Sequence, residues 1–293
     1  MKRHRAAGTT TAAGTTTAGG TGPSRSLRAA LVALVLAFLA ILLVWPMFEI
    51  ARGAWEGGST SLDQLRGNAL LNSVVKNTLV VSTLTALIST ILAYLVAGAA
   101  WRTSGTTRLL IVACVLLPFW TGVLVKNFAW IEILRDQGVV NDILLAVGLV
   151  DHPLDLINTR FAVVVGMVHY CLPYAVFPIL AAMLPLDRRL EQAAESLGAG
   201  ALSRFRHVLL PLTLPGVLAS VLLTFIVAVG FFITPVLLGG PGDRMVANMI
   251  DYYQSEIVDF ETASLLAVFV TVAISLLVAA YQRIPKEGQY GRG

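Results

Sequence analysis

Few residues in this chain are suited to bond-making chemistry. The four histidines, His4, His152, His169 and His207, lie far apart. Cys114 and Cys171 both sit inside apolar runs. They read as two small buried apolar residues, not as a disulfide or a metal pair, and no metal site is expected. None of the four lysines, Lys2, Lys76, Lys126 and Lys286, follows a glycine-rich turn and precedes Ser or Thr. A phosphate loop is therefore missing, and so are HExxH and GxSxG patterns. No cofactor is expected on this chain, and an enzyme active site is poorly supported. What remains is binding chemistry, concentrated in one charged segment, "DRRLEQAAESLGAGALSRFRHVLLP" (187–211).

The elements around that segment are apolar. The 293 residues are 56% hydrophobic and 13% charged, with a mean hydropathy of +0.77. Soluble domains carry about 25% charged residues. The apolar material comes in long blocks, which marks an all-α integral membrane protein. Charge-free intervals predict six spans at 29–48, 77–101, 109–125, 161–186, 208–242 and 262–282. The third is short and is expected to continue through Lys126 toward Trp130, with the lysine reaching the interface. The run "ILLAVGLV" (143–150) is too short to cross and reads as a short external helix or re-entrant piece. Pro118, Pro173, Pro178, Pro215 and Pro235 fall inside spans, where each favours a kink.

Residues 1–27 form a basic, Thr/Gly/Ala-rich segment with too few large apolar groups to fold. A cleaved signal peptide fits poorly, because the apolar run that follows has about 20 residues, longer than a signal core. The expected organisation is a tail at 1–27, a first span at 28–50, a main membrane domain at 70–285 and a second tail at 286–293.

Charge sets the orientation. Fourteen of the 21 Lys and Arg fall on the side of the termini: Lys2, Arg3, Arg5, Arg25, Arg28, Arg102, Arg108, Arg188, Arg189, Arg204, Arg206, Arg283, Lys286 and Arg292. Only Asp187, Glu191, Glu195 and Glu287 of the 17 acids share it. The positive-inside rule then predicts cytoplasmic termini and a cytoplasmic 187–211 segment. The other side is acidic, but depletion of basic residues there already accounts for that. The scattered basic clusters give no nucleic-acid groove.

Within the segment, Asp187 is the expected N-cap. Leu190, Ala193, Ala194 and Leu197 fall at i, i+3, i+4 and i+7, so they share one helix face. Gly198 stands where a C-cap glycine belongs. Such a narrow face either packs on the protein's own bundle or enters a groove of another protein.

The spacing resembles the EAA loop of permease subunits of binding-protein-dependent ABC importers. In that pattern E-A-A is followed after three residues by G, and after nine more by I-x-L-P. This chain has Gln192-Ala193-Ala194, Gly198 and Val208-Leu209-Leu210-Pro211. The departure is Gln192 in place of Glu, with Glu191 one position earlier. "LLPFWTGVLVKNFAWIEILRDQGVVNDIL" (116–144) and "FFITPVLLGGP" (231–241) are similar to the spermidine/putrescine-type branch.

The resemblance implies a MetI-like fold of six transmembrane helices with a coupling helix, in a bacterial inner membrane. It also implies two partner ATPase subunits that carry ATP and Mg, a second and different permease subunit, and an extracytoplasmic solute-binding protein. Gln192, Ala193, Ala194, Gly198, Ala199 and Pro211 would couple to the ATPase. Trp120, Lys126, Asn127, Trp130 and Glu132, near the outer end of the third span, are candidate pathway residues. Phe231 and Phe232 are a candidate apolar gate, and a polyamine-like solute is expected. The competing readings are a stand-alone carrier or channel, which would need acids within its spans or an inverted repeat, and a membrane enzyme.

Overall fold

The computed structural model describes residues 25–66 and 69–283. Most of the two tails, at 1–27 and 286–293, therefore lies outside the described residues. The chain divides into two units, residues 1–49 and 50–293. Every regular element among the described residues is helical. The first unit is represented by helix α1 (Arg25–Arg66), whose last turns, from Ile50, belong to the second.

The second unit is built on α2 (Ala69–Arg102), α6 (Arg160–Met183) and α9 (Leu210–Val229), which pack against one another. The reason is written along α2. Ser82, Thr85, Ala86, Ser89, Ala93, Ala97 and Ala100 recur at three- and four-residue steps, and all are fully or almost fully buried. In lipid there is no hydrophobic drive between helices, so close approach of small residues does the work. Hydroxyl pairs add directed contacts, Thr90 to Ser220 at 3.1 Å and Tyr94 to Thr213 at 3.0 Å. Large apolar side chains on the other faces of α2, such as Leu95 and Ile91, are exposed, which suits a lipid environment.

Among the described residues, five helices are long and apolar enough to cross a membrane, or six if one bent pair is a single span. That pair is the expected third span. Helix α3 (Gly105–Leu116) runs into a 3₁₀ turn at Leu117–Trp120, α4 (Val123–Leu134) follows, and the two stretches Gly105–Trp120 and Val123–Ala146 meet at 99°. The expected kink at Pro118 is thus a sharp bend, and the run toward Trp130 continues beyond it in α4. Pro118 cannot donate, and Thr121 ends the turn with its backbone N–H and its hydroxyl both on the Pro118 carbonyl. Helix α5 (Val139–Ala146) follows and covers the first part of the 143–150 run.

The fifth interval also breaks. Helix α9 stops at Val229, and a short helix α10 (Ile233–Leu238) carries Pro235 inside it. Pro173, Pro178 and Pro215 lie within continuous helices. Cys114 is exposed, against expectation, because it lies on the unpacked face of α3. Cys171 is buried, and both thiols are free.

Helices α6 and α9 approach closely at Gly216. A Cβ on Gly216 would stand 2.6 Å from Ala182 Cβ and 2.7 Å from the Pro178 carbonyl oxygen. Gly98 on α2 has open space instead. Gly216→Ala is expected to push α6 and α9 apart and cost about 1–3 kcal/mol. Gly98→Ala is expected to leave stability almost unchanged. Thermal unfolding of the two variants in detergent, followed by size exclusion, checks the contrast.

Candidate coupling surface and translocation site

The 187–211 segment joins α6 to α9 at the end of the bundle that carries Arg102, Arg108, Arg188 and Arg204. It folds as α7 (Arg189–Ser196), α8 (Ala201–Arg204) and a π-type turn at Phe205–Leu209. Asp187 is not the N-cap. Its carboxylate accepts from the Arg189 backbone N–H at 2.9 Å, a bond that closes a turn one residue earlier and leaves Arg188 as the entry residue.

The C-terminal end matches expectation. Gly198 has φ +84°, its N–H donates to the Glu195 carbonyl, and the Ala199 N–H donates to the Ala194 carbonyl. These two bonds make a Schellman motif with glycine in the left-handed position.

The apolar stripe does not pack on the protein's own bundle. Leu190 is 48% exposed, Leu197 88% and Leu202 78%. Gln192 and Ala193 are exposed, and Ala194 and Ala199 are half-buried. Pro211 is exposed in the first turn of α9. A face of leucine and alanine held open in this way is complementary to a groove on another molecule.

Glu191 is already engaged, with a carboxylate oxygen 2.9 Å from an Arg102 guanidinium nitrogen and its side chain mostly shielded. Glu195 pairs with Arg204 at 2.5 Å within the segment itself.

The candidate pathway residues separate into three groups. Lys126 and Phe231 meet through Tyr170. The ammonium of Lys126 lies 5.1 Å from the Tyr170 ring centre, and Phe231 makes an edge contact with that ring at 4.5 Å. Tyr174 stacks on Tyr170 at 5.8 Å, and Phe119 leans on Tyr174 at 5.6 Å. Beside them, Trp130 Nε1–H donates to His169 Nδ1 at 3.1 Å. The second group is structural. Asn127 is 2% exposed, accepts from the Thr234 hydroxyl at 3.0 Å and donates to the Val123 carbonyl. It fastens α10 to α4.

The third group stands apart. Trp120 is 86% exposed at the bend, and Glu132 pairs with Arg135 on the surface at 3.2 Å. Phe232 lines a separate cavity of about 350 Å³ with Arg244, Asp251, Tyr252 and Glu256. Phe231 and Phe232, adjacent beyond the end of α9, thus meet different neighbours.

The residues not anticipated are His169, Tyr170 and Tyr174. Their signal is the stretch "HYCLPY" (169–174), three polar aromatic side chains inside an otherwise apolar span.

The family model "Binding-protein-dependent transport system inner membrane component" matches residues 12–285. The chain belongs to this family. Among curated relatives, a spermidine/putrescine transport system permease protein PotB from Haemophilus influenzae is 34% identical over 222 residues, 75% of this chain and 77% of the relative. The protein of the same description from Escherichia coli K12 is 31% identical over 222 residues, 76% and 79% of the two chains.

Among solved structures, a bacterial ABC transporter involved in import of the acidic polysaccharide alginate aligns with a TM-score of 0.72. The identity is 19%, covering 89% of this chain and 96% of that one. The MetNI methionine ABC transporter in an inward-facing form gives 0.54, at 18% identity, covering 73% and 94%. The fold is thus the MetI-like permease fold, and the chain is an inner-membrane permease subunit of an ABC importer.

Asn127 and Trp120 separate structure from surface. Asn127→Ala leaves the Thr234 hydroxyl without its acceptor and is expected to cost about 1–3 kcal/mol. Trp120→Ala is expected to change stability little, and melting temperatures in detergent check both.

Proposed function

We propose that this permease moves a polyamine-like alkylammonium solute inward, driven by ATP hydrolysis on partner subunits. The observation that carries the coupling half of this reading is the exposed Leu190–Ala193–Leu197 face of α7, closed by the Schellman turn at Gly198. That face is the docking element for an ATPase groove, with Gln192, Ala193, Ala194, Gly198 and Ala199 at the contact and Pro211 fixing the exit into α9. ATP and Mg belong to the ATPase, of which the assembly has two copies. A second, related permease chain completes the pathway, and a solute-binding protein delivers the cargo to the opposite face. The basic end, and with it both termini, faces the cytoplasm.

The substrate half rests on the two PotB relatives and on one piece of geometry. The aromatic group of Phe119, Tyr170, Tyr174 and Phe231 already accepts an ammonium, that of Lys126, over one ring face. Aromatic faces attract alkylammonium groups by about 0.5–2 kcal/mol each, more as water is excluded.

Two measurements test the reading. The chain purified with its operon neighbours is expected to co-elute with an ATPase, and removal of that ATPase to abolish spermidine uptake. Uptake that persists without it contradicts the proposal. Gly198→Val is also informative, because a β-branched residue at a left-handed position is strained by about 1–3 kcal/mol. It is expected to cut transport about tenfold. The amount of chain in the membrane, followed by immunoblot, is expected to change far less.

A further inference from the structure

Lys126 carries its ammonium to the middle of a membrane span. It lies in the first turn of α4, just past the bend at Pro118, and its head stands 5.1 Å from the centre of the Tyr170 ring. Tyr170 is ten residues beyond Arg160 in α6, a helix of 24 residues. It is therefore about 15 Å from the Arg160 end, close to mid-span. An ionisable group at that depth is costly, and such groups pair with an opposite charge or face an aqueous pathway. Among the described residues, no carboxylate pairs with Lys126. Glu132, the acid of its own helix, is taken by Arg135.

Aromatic faces surround the ammonium instead. Phe231 meets the Tyr170 ring edge-on, Tyr174 stacks on it, and Phe119 leans on Tyr174. His169, next to Tyr170 in the chain, accepts the Trp130 Nε1–H at Nδ1. A nitrogen that accepts carries no proton, so the imidazole is neutral. Lys126 thus supplies the positive charge of this group, and no acid offsets it.

We infer that Lys126 is a fixed-charge filter: its ammonium keeps inorganic cations out of the pathway in the absence of solute and yields its place on Tyr170 to an ammonium of the solute. This rests on the reading of the aromatic group as part of the solute pathway. A like charge raises the energy of a small cation, most strongly where water is scarce. A sodium ion entering the group would give up water and meet a repelling ammonium with no carboxylate to compensate. An alkylammonium differs in two respects. Its carbon chain can lie against Phe119 and Phe231, and its head can take the ring face that Lys126 holds. The four-carbon lysine stem is flexible enough to swing its own head aside.

The test uses the assembled transporter with its ATPase, in proteoliposomes loaded with radiolabelled sodium and chloride and given no solute. Efflux of the two ions is followed separately. The unchanged protein is expected to hold both. Lys126→Met, similar in length but uncharged, is expected to release sodium about tenfold faster or more while still holding chloride. Lys126→Gln, which keeps a polar head and so protects assembly, is expected to behave in the same way. Lys126→Arg keeps the charge and is expected to hold sodium. Size exclusion checks that each variant stays assembled.

Sodium retention in both uncharged variants overturns the inference, as does sodium release from the unchanged protein. So does a matched rise of sodium and chloride, which marks lost packing and not a lost charge. Sodium release from Lys126→Arg equal to that from Lys126→Met overturns it too. The polyamine reading is tested apart from this, by spermidine uptake in the same vesicles with ATP and the solute-binding protein. No uptake by the unchanged transporter contradicts that reading, whichever way the ions behave.

Discussion

A backbone carbonyl or N–H released by a helix break inside a membrane must find a partner within the protein. Much of this structure is organised by that constraint. The third span breaks at Pro118, and Thr121 covers the freed carbonyl with both its backbone and its hydroxyl. The fifth helix ends at Val229, and Asn248 donates to the Phe232 carbonyl beyond it at 2.9 Å. At the other end, the last carbonyls of α2 are taken by Arg108 and Arg188. Each break is thus closed by a polar side chain, locally at Thr121 and from distant segments at Asn248 and Arg188, and each stands beside a candidate functional surface.

Beyond those fixed points, the parts of the second unit differ in how they are held. The α2–α6–α9 packing is close and built of small residues, with hydroxyl pairs between helices. The acidic end is held by Arg160, which donates to Asn77 at 2.7 Å and to Asp243 at 3.2 Å, and so ties α2 and α6 to the turn after α10. The 187–204 segment, by contrast, is fastened on one side and open on the other. A lever needs that asymmetry: a braced back and a free contact face.

Much of this was legible in the sequence. Apolar blocks locate the helices, and the i, i+3, i+4, i+7 pattern with Gly198 describes α7 and its cap, because helical periodicity and left-handed glycine are local properties. The bend in the third span was legible in Pro118, but the end of α9 at Val229 was not, because where a helix stops there depends on distant partners such as Asn248. Asp187 reads as a cap on type alone, but the turn before α7 takes its carboxylate one residue early. Glu191 stands beside Gln192 in sequence, but its partner, Arg102, is 89 positions away and could not be read from the segment. The aromatic group around Tyr170 is assembled from the 3₁₀ turn after α3, from α4 and α6, and from the residues after α9, so only its α6 part could be seen as a stretch.

The central claim is that α7 presents its open face to an ATPase. Leu197, 88% exposed at the end of that face, tests it most directly. Leu197→Cys, carrying a short photo-activated cross-linker in the assembled transporter, is predicted to give an adduct with the ATPase subunit. The same cross-linker at Leu149, 71% exposed in the loop after α5, is predicted to give none. An ATPase adduct from Leu149 and not from Leu197 would contradict the account.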